Sequence, residues 1–140
     1  MIEFYFETDF ELEDRDRYAR WVDQIANSED REIGELSFVF CNDNYLLEIN
    51  QKFLHHDTFT DVITFDYSDG VSVSGDIFIS IERLKENSYK FKVSLEEELQ
   101  RVMAHGVLHL LGYDDKTDED FKRMQGKEDE KIKLFHVEQW

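Results

Sequence analysis

His105 and His109 stand four residues apart, Gly112 follows three residues later, and Asp115 three after that. On a helix, side chains four apart lie on one face, a turn from each other. Two imidazoles so placed can hold one metal ion. A glycine just past them can end the helix in the left-handed conformation that only Gly adopts at low cost. The chain then reverses, and Asp115 can swing back towards the imidazoles. A three-ligand metal site can thus be built from eleven residues, His105 to Asp115. The alternative is a pair of core histidines satisfied by hydrogen bonds. That suits one histidine better than two at this spacing with a carboxylate behind them.

The helix carrying the pair is predicted from Ser94 to about Leu111, with Ser94 and Glu97 forming a capping box at its start. Val107, Leu108, Leu110 and Leu111 make its second half apolar nearly all round, so it is a buried helix from which the histidines face a cleft. Around it, the pattern predicts strands at 2–6, 36–41, 62–65 and 75–80, with a turn at Ser68–Gly70 that makes the last two a hairpin. Leu36–Cys41, apolar on both sides towards its end, suits a central strand. Helices are predicted at 14–28, at 42 or 43 to 54, at 81–89 and at 118–135, the last lying across the surface. Asn27–Gly34 reads as a polar break and His55–Asp61 as a polar loop.

The chain of 140 residues has no proline and few glycines, so one domain spanning 1–140 is expected. With 41% hydrophobic residues, including 12 Phe, it can fill a core. No apolar run reaches the ~18 residues of a membrane span. The acidic start lacks the basic-then-apolar order of an export signal, and the lone Cys41 forms no internal disulfide, so the cytoplasm is the expected compartment. Cys41 reads as a buried thiol. The net charge of -17 repels nucleic acid at long range, so any RNA substrate needs a metal, a partner or a local basic patch. Such a patch exists at Arg83, Lys85, Lys90 and Lys92, with Tyr89 and Phe91 interleaved. These residues, with Arg101, are the candidate RNA contacts; a solvated face is the plain alternative.

The spacing resembles the H-E-x-x-H-x-x-G-x-x-H pattern of the metzincin proteases. Here Gly106 stands where the protease keeps its Glu general base, and Asp115 where the third His would be. Without the base, protease chemistry is disfavoured.

The run His105-Gly106-Val107-Leu108-His109-Leu110-Leu111-Gly112-Tyr113, followed by Asp, resembles the YbeY family of bacterial metal-dependent endoribonucleases. Asn50 and Thr60-Asp61-Val62-Ile63-Thr64-Phe65 resemble that family's N…PTDVLSF block, with Phe59 where Pro is usual. Gly75-Asp76-Ile77 resembles its GDI strand start, and Met124 with Glu128 the M-x-x-x-E of its last helix.

The resemblance implies an α+β fold, a mixed sheet of about four strands with helices packed mostly on one face. It also implies a zinc-dependent endoribonuclease preferring single strands. The enzyme would act in small-subunit ribosomal RNA 3′-end maturation and ribosome quality control. Its partners would be ribosomal RNA, the small ribosomal subunit and an assembly GTPase, with no membrane. The metal positions carry over as His105, His109 and Asp115, with Asp114 the lesser candidate. The family's functional Arg after the Asn is Leu54 here; either another cation replaces it, with Lys52, Arg101 and the Arg83–Lys92 window as candidates, or the reaction runs with less electrostatic help.

An Asp ligand lowers the charge of a zinc site from +2 to +1, weakening it as a Lewis acid and leaving a bound water less acidic. The same donor set suits Fe2+ or Mn2+ as well. Beyond that water, the candidate base is Asp61, whose plain alternative is a turn carboxylate bonding backbone N–H groups; Asp76 shares that alternative. His55 and His56 read as loop residues and His136 as inert. The competing function is a non-catalytic ribosome-assembly factor with a structural metal. Three protein ligands rather than four favour catalysis.

Overall fold

The computed structural model describes residues 1–54 and 60–137. In chain order the elements are β1 (Ile2–Phe6), α1 (Arg15–Asn27), β2 (Glu32–Cys41), α2 (Asp43–Leu54), β3 (Val62–Asp66), β4 (Ser72–Ser80), α3 (Ile81–Phe91), α4 (Leu95–Leu110) and α5 (Asp118–Val137). The sheet has four strands in the order β1-β2-β4-β3. β1 and β4 run parallel to β2, and β3 is antiparallel to β4. This is the mixed α+β arrangement anticipated, with the hairpin in place and β2 central.

β1 and β3 begin where expected, at Ile2 and Val62, but β2 and β4 begin earlier than their apolar runs. Glu32 and Ile33 pair with Ser72 and Val73, ahead of a register shift between Ile33 and Leu36. Backbone pairing asks nothing of the side chains, so polar residues extend strands that hydrophobic alternation does not mark.

Alternation along β4 assigns the two faces. Ile77 and Ile79 enter the main core with Trp21, Ile25, Phe38, Phe40, Met103 and Val107, between the sheet and helices α1 and α4. Phe78 points the other way, to Tyr45, Leu46 and Ile49 of α2. Helices therefore cover mostly one face, with α2 alone packing the second cluster of buried residues.

α5 lies on the surface as expected, with most of its residues exposed, but one face of it is buried. Met124 and Phe135 are buried, and Phe135 packs against the Tyr18 and Trp21 rings with centroids 4.9 and 5.3 Å away. Lys131 is also buried, holding Ser28 Oγ and Glu29 Oε2, both at 2.8 Å. The charged pattern hid this face because its buried positions include a lysine and a glutamate paired across to other elements. Among the described residues, no helix is long and apolar enough to cross a membrane.

Candidate metal centre

α4 starts at Ser94, whose hydroxyl accepts from the Glu97 N–H at 3.0 Å. Three acidic residues in its first turn suit the helix dipole. The helix lies tightly on the sheet through Gly106. A Cβ there would stand 2.9 Å from Ile77 Cγ2. The position that holds the general base in the protease pattern is thus a contact of the helix with β4.

The helix ends as the glycine requires. Gly112 has φ 105°. Its N–H donates to the His109 carbonyl and that of Tyr113 to the Leu108 carbonyl, both at 3.0 Å. These two bonds make a Schellman motif. The Tyr113 hydroxyl then donates to Glu29 Oε1 at 2.5 Å, and Lys127 Nζ lies 5.5 Å from its ring centre. Anchored so to the segment after α1, the chain turns back and delivers Asp115.

Three donor atoms converge. His105 Nε2 and His109 Nε2 are 3.0 Å apart. Asp115 Oδ2 lies 3.3 Å from the first and 3.4 Å from the second. Ligands about 2.0–2.1 Å from a tetrahedral metal stand about 3.3 Å from one another. The donor triangle fits one face of such a polyhedron. Each of the three residues is partly exposed, so the site opens to solvent. Asp114 is exposed and is not part of the cluster.

Behind His105 stands a group that spacing along α4 does not reveal. His105 Nδ1 is 2.7 Å from Glu128 Oε2, on α5. The other oxygen of Glu128 accepts from Arg101 Nη1 at 2.8 Å, while Arg101 Nη2 donates to Asp129 Oδ1 at 2.7 Å. Glu128 is only 5% exposed. In sequence it is one acid among many on α5; its place in the M-x-x-x-E signature is the signal that marks it. Burial opposes charge on His105, but the hydrogen bond and field of Glu128, with Asp115 and Asp61, outweigh it and raise its pKa above the ordinary value.

Asp61 precedes β3. Burial raises its pKa, against the field of His105 and hydrogen bonds from the backbone N–H groups of Asp61 and Val62. It combines the turn role with proximity to the site. Asp76 is on β4, where it accepts from the Tyr67 hydroxyl at 3.2 Å.

The candidate RNA-binding cations divide. Arg83 is tied to Asp43 at 3.2 Å and to Glu86 at 3.4 Å, and Arg101 to Glu128 and Asp129 as above. Lys85, Lys90 and Lys92 are exposed along α3 and its C-cap, beside Tyr89 and Phe91, which are 89% and 57% exposed. Lys52 Nζ lies 5.5 Å from the centre of the Phe53 ring, and Leu54 ends α2. Cys41 is buried, and burial pushes its thiol up to about 12. His136 is exposed. His55, His56 and Phe59 lie outside the described residues.

Fold and donor set together define the class: an α+β protein whose longest buried helix presents two histidines, joined by an aspartate, as a three-donor group that could hold a metal ion. A family model described as "Endoribonuclease YbeY" matches residues 4–136. An endoribonuclease YbeY of Flavobacterium psychrophilum is 58% identical over 139 residues, covering 99% of both chains. That of Flavobacterium johnsoniae is 51% identical, covering 99% of this chain and 100% of the relative. That of Bacteroides fragilis is 42% identical over 116 residues, 83% of this chain and 84% of the relative. A solution structure from Thermotoga maritima superposes with a TM-score of 0.67 at 26% identity, covering 99% of this chain and 91% of that one. The chain belongs to the endoribonuclease YbeY family.

Proposed function

We propose that this chain is a metal-dependent endoribonuclease that cleaves single-stranded RNA, with zinc as its metal. The observation that carries the reading is the convergence of His105 Nε2, His109 Nε2 and Asp115 Oδ2 within 3.0–3.4 Å of one another at a solvent-open site. Two nitrogens and one carboxylate oxygen suit zinc, and also suit Fe2+ or Mn2+. Three protein donors leave positions for substrate, as catalytic sites do and closed structural sites do not. The relatives' shared name supplies the reaction, hydrolysis of RNA phosphodiesters within the chain.

When bound, the metal supplies Lewis-acid polarisation of a phosphoryl oxygen. The chain's own residues do the rest. His105 and His109 hold the site rigidly because α4 is buried along most of its length. Asp61 is the group offered to accept or return a proton, since a carboxyl raised by burial is closer to neutral working pH than an exposed one. Tyr89 and Phe91 offer stacking faces to unpaired bases, with Lys85, Lys90 and Lys92 for the backbone. With a net charge of -17, that local patch sits against an overall repulsion, so a ribosomal partner would help bring the substrate. We place the activity in small-subunit ribosomal RNA 3′-end maturation in the cytoplasm, with the small subunit and an assembly GTPase as partners.

The test is cleavage of a labelled single-stranded RNA by zinc-loaded protein, with His109→Ala and casein as controls. RNA cleavage lost in the variant, with casein intact, is the expected result. Metal bound stoichiometrically without RNA cleavage would favour the assembly-factor reading. Cleavage undiminished in the variant would overturn the metal site.

A further inference from the structure

We propose that Glu128 is a positioning residue for the metal site: its carboxylate fixes the tautomer and rotation of His105, and Arg101 holds that carboxylate in place. The inference rests on the functional reading above and adds residues outside the donor set.

A buried carboxylate beside a metal site can be a fourth ligand or a partner to a ligand. The geometry separates the two. Glu128 Oε2 meets Nδ1 of His105, whereas Asp115 and His109 meet Nε2 of the same ring. The two ring nitrogens face opposite ways, so Glu128 approaches from behind the imidazole. Its second oxygen is occupied by Arg101 at 2.8 Å. A carboxylate at Nδ1 is satisfied only if that nitrogen carries the proton, which leaves the Nε2 lone pair for the metal. A histidine with the other tautomer would aim an N–H at the metal and could not ligate.

The support extends one residue further. Arg101 spans Glu128 and Asp129 with separate guanidinium nitrogens, at 2.8 and 2.7 Å. The planar fork fixes both carboxylates at once. Arg101 lies one turn before His105 on α4, and both acids lie on α5. The network thus joins the two helices and sets the rotation of one metal ligand. It also gives Arg101 a structural occupation in place of a free positive charge for RNA.

Partners of this kind change metal affinity by about 10–100-fold when removed. The experiment measures zinc affinity of the full chain by competition with a chromophoric chelator. It compares the parent with E128A, E128Q and, as a control for lost charge on α5, E119Q. Melting of the metal-free proteins is followed in parallel. E128A is expected to bind zinc about 10–100-fold more weakly, and E128Q less severely because its amide oxygen still accepts a hydrogen bond. E119Q should match the parent. A merely structural role would lower the melting temperature and leave zinc affinity of the folded protein unchanged. E128Q keeps the shape of the side chain and carries the test if E128A does not fold. Zinc affinities of every folded Glu128 variant within about twofold of the parent would overturn the proposal; so would an equal loss in E119Q. A parent that binds and uses zinc while the variants bind it equally well would sink this inference alone. A parent that binds no divalent metal would sink the functional reading with it.

Discussion

Gly106 and Ile77 meet where α4, the helix of His105 and His109, crosses β4: a Cβ at Gly106 would come within 2.9 Å of Ile77 Cγ2 and 3.1 Å of its Cδ1. Ile77 is fully buried in the main core. It cannot swing into solvent to make room. Gly106→Ala should therefore destabilise the protein by about 1–3 kcal/mol, the usual cost of overpacking, even though alanine favours helix. Urea unfolding of the metal-free protein checks this; a stability equal to or above the parent's would show that α4 does not lie this close to the sheet.

Metal binding to a site absent from the unfolded chain adds stability, about 2.7 kcal/mol at a ligand concentration a hundred times Kd. Zinc should raise the melting temperature of the parent. His105→Ala and His109→Ala should abolish that rise and reduce bound zinc from about one per chain to near zero. Elemental analysis alongside thermal melting reads both. Full occupancy in either variant would refute the ligand set.

As a ligand, Asp115 would set which metal the proposed site prefers. An imidazole in its place makes the donor set softer and neutral, which favours zinc over manganese. Asp115→His should widen the preference for zinc over manganese, and Asp115→Ala should weaken both metals. Competition binding with the two ions gives the ratio. A ratio unmoved by Asp115→His would place the carboxylate outside the coordination sphere.

Glu29 couples acid stability to the loop that carries Asp115. Burial alone would raise its pKa, but hydrogen bonds from Lys131, Tyr113 and Lys127 outweigh it and hold the carboxyl at about 2, against an ordinary 4.5. The folded state thus prefers the ionised form. Its contribution is complete above about pH 4.5 and is lost as pH falls towards 2. Glu29→Gln should lower stability at neutral pH by about 1–3 kcal/mol, through the buried charge of Lys131 losing a partner. It should also flatten the decline in stability between those two pH values. Unfolding curves at pH 7, 4 and 3 would show it; parallel declines in parent and variant would contradict the assignment.

Much of the centre was legible in residues 94–115, because a helix and its terminus are local structures. Helical spacing places His105 beside His109, and Gly112 permits the reversal, without reference to the rest of the chain. The four strands and the hairpin followed from alternation and turn residues for the same reason. Strand starts at Glu32 and Ser72 did not, since backbone pairing leaves no side-chain signature. Nor did the buried face of α5, where polar residues are buried because their partners lie on α1, on α4 and in the segment after α1.

The sequence by itself determined the two histidines, their common face and the glycine that ends their helix; each depends on neighbours within a few turns. Only the tertiary structure decided that Asp115 arrives within 3.4 Å of both imidazoles, since that depends on Tyr113 reaching Glu29, 84 residues earlier. Only it decided that Gly106 serves the sheet contact, and that Glu128 stands behind His105. Those are contacts between elements far apart in the chain, and they form when packing the core brings α1, α4, α5 and the sheet together.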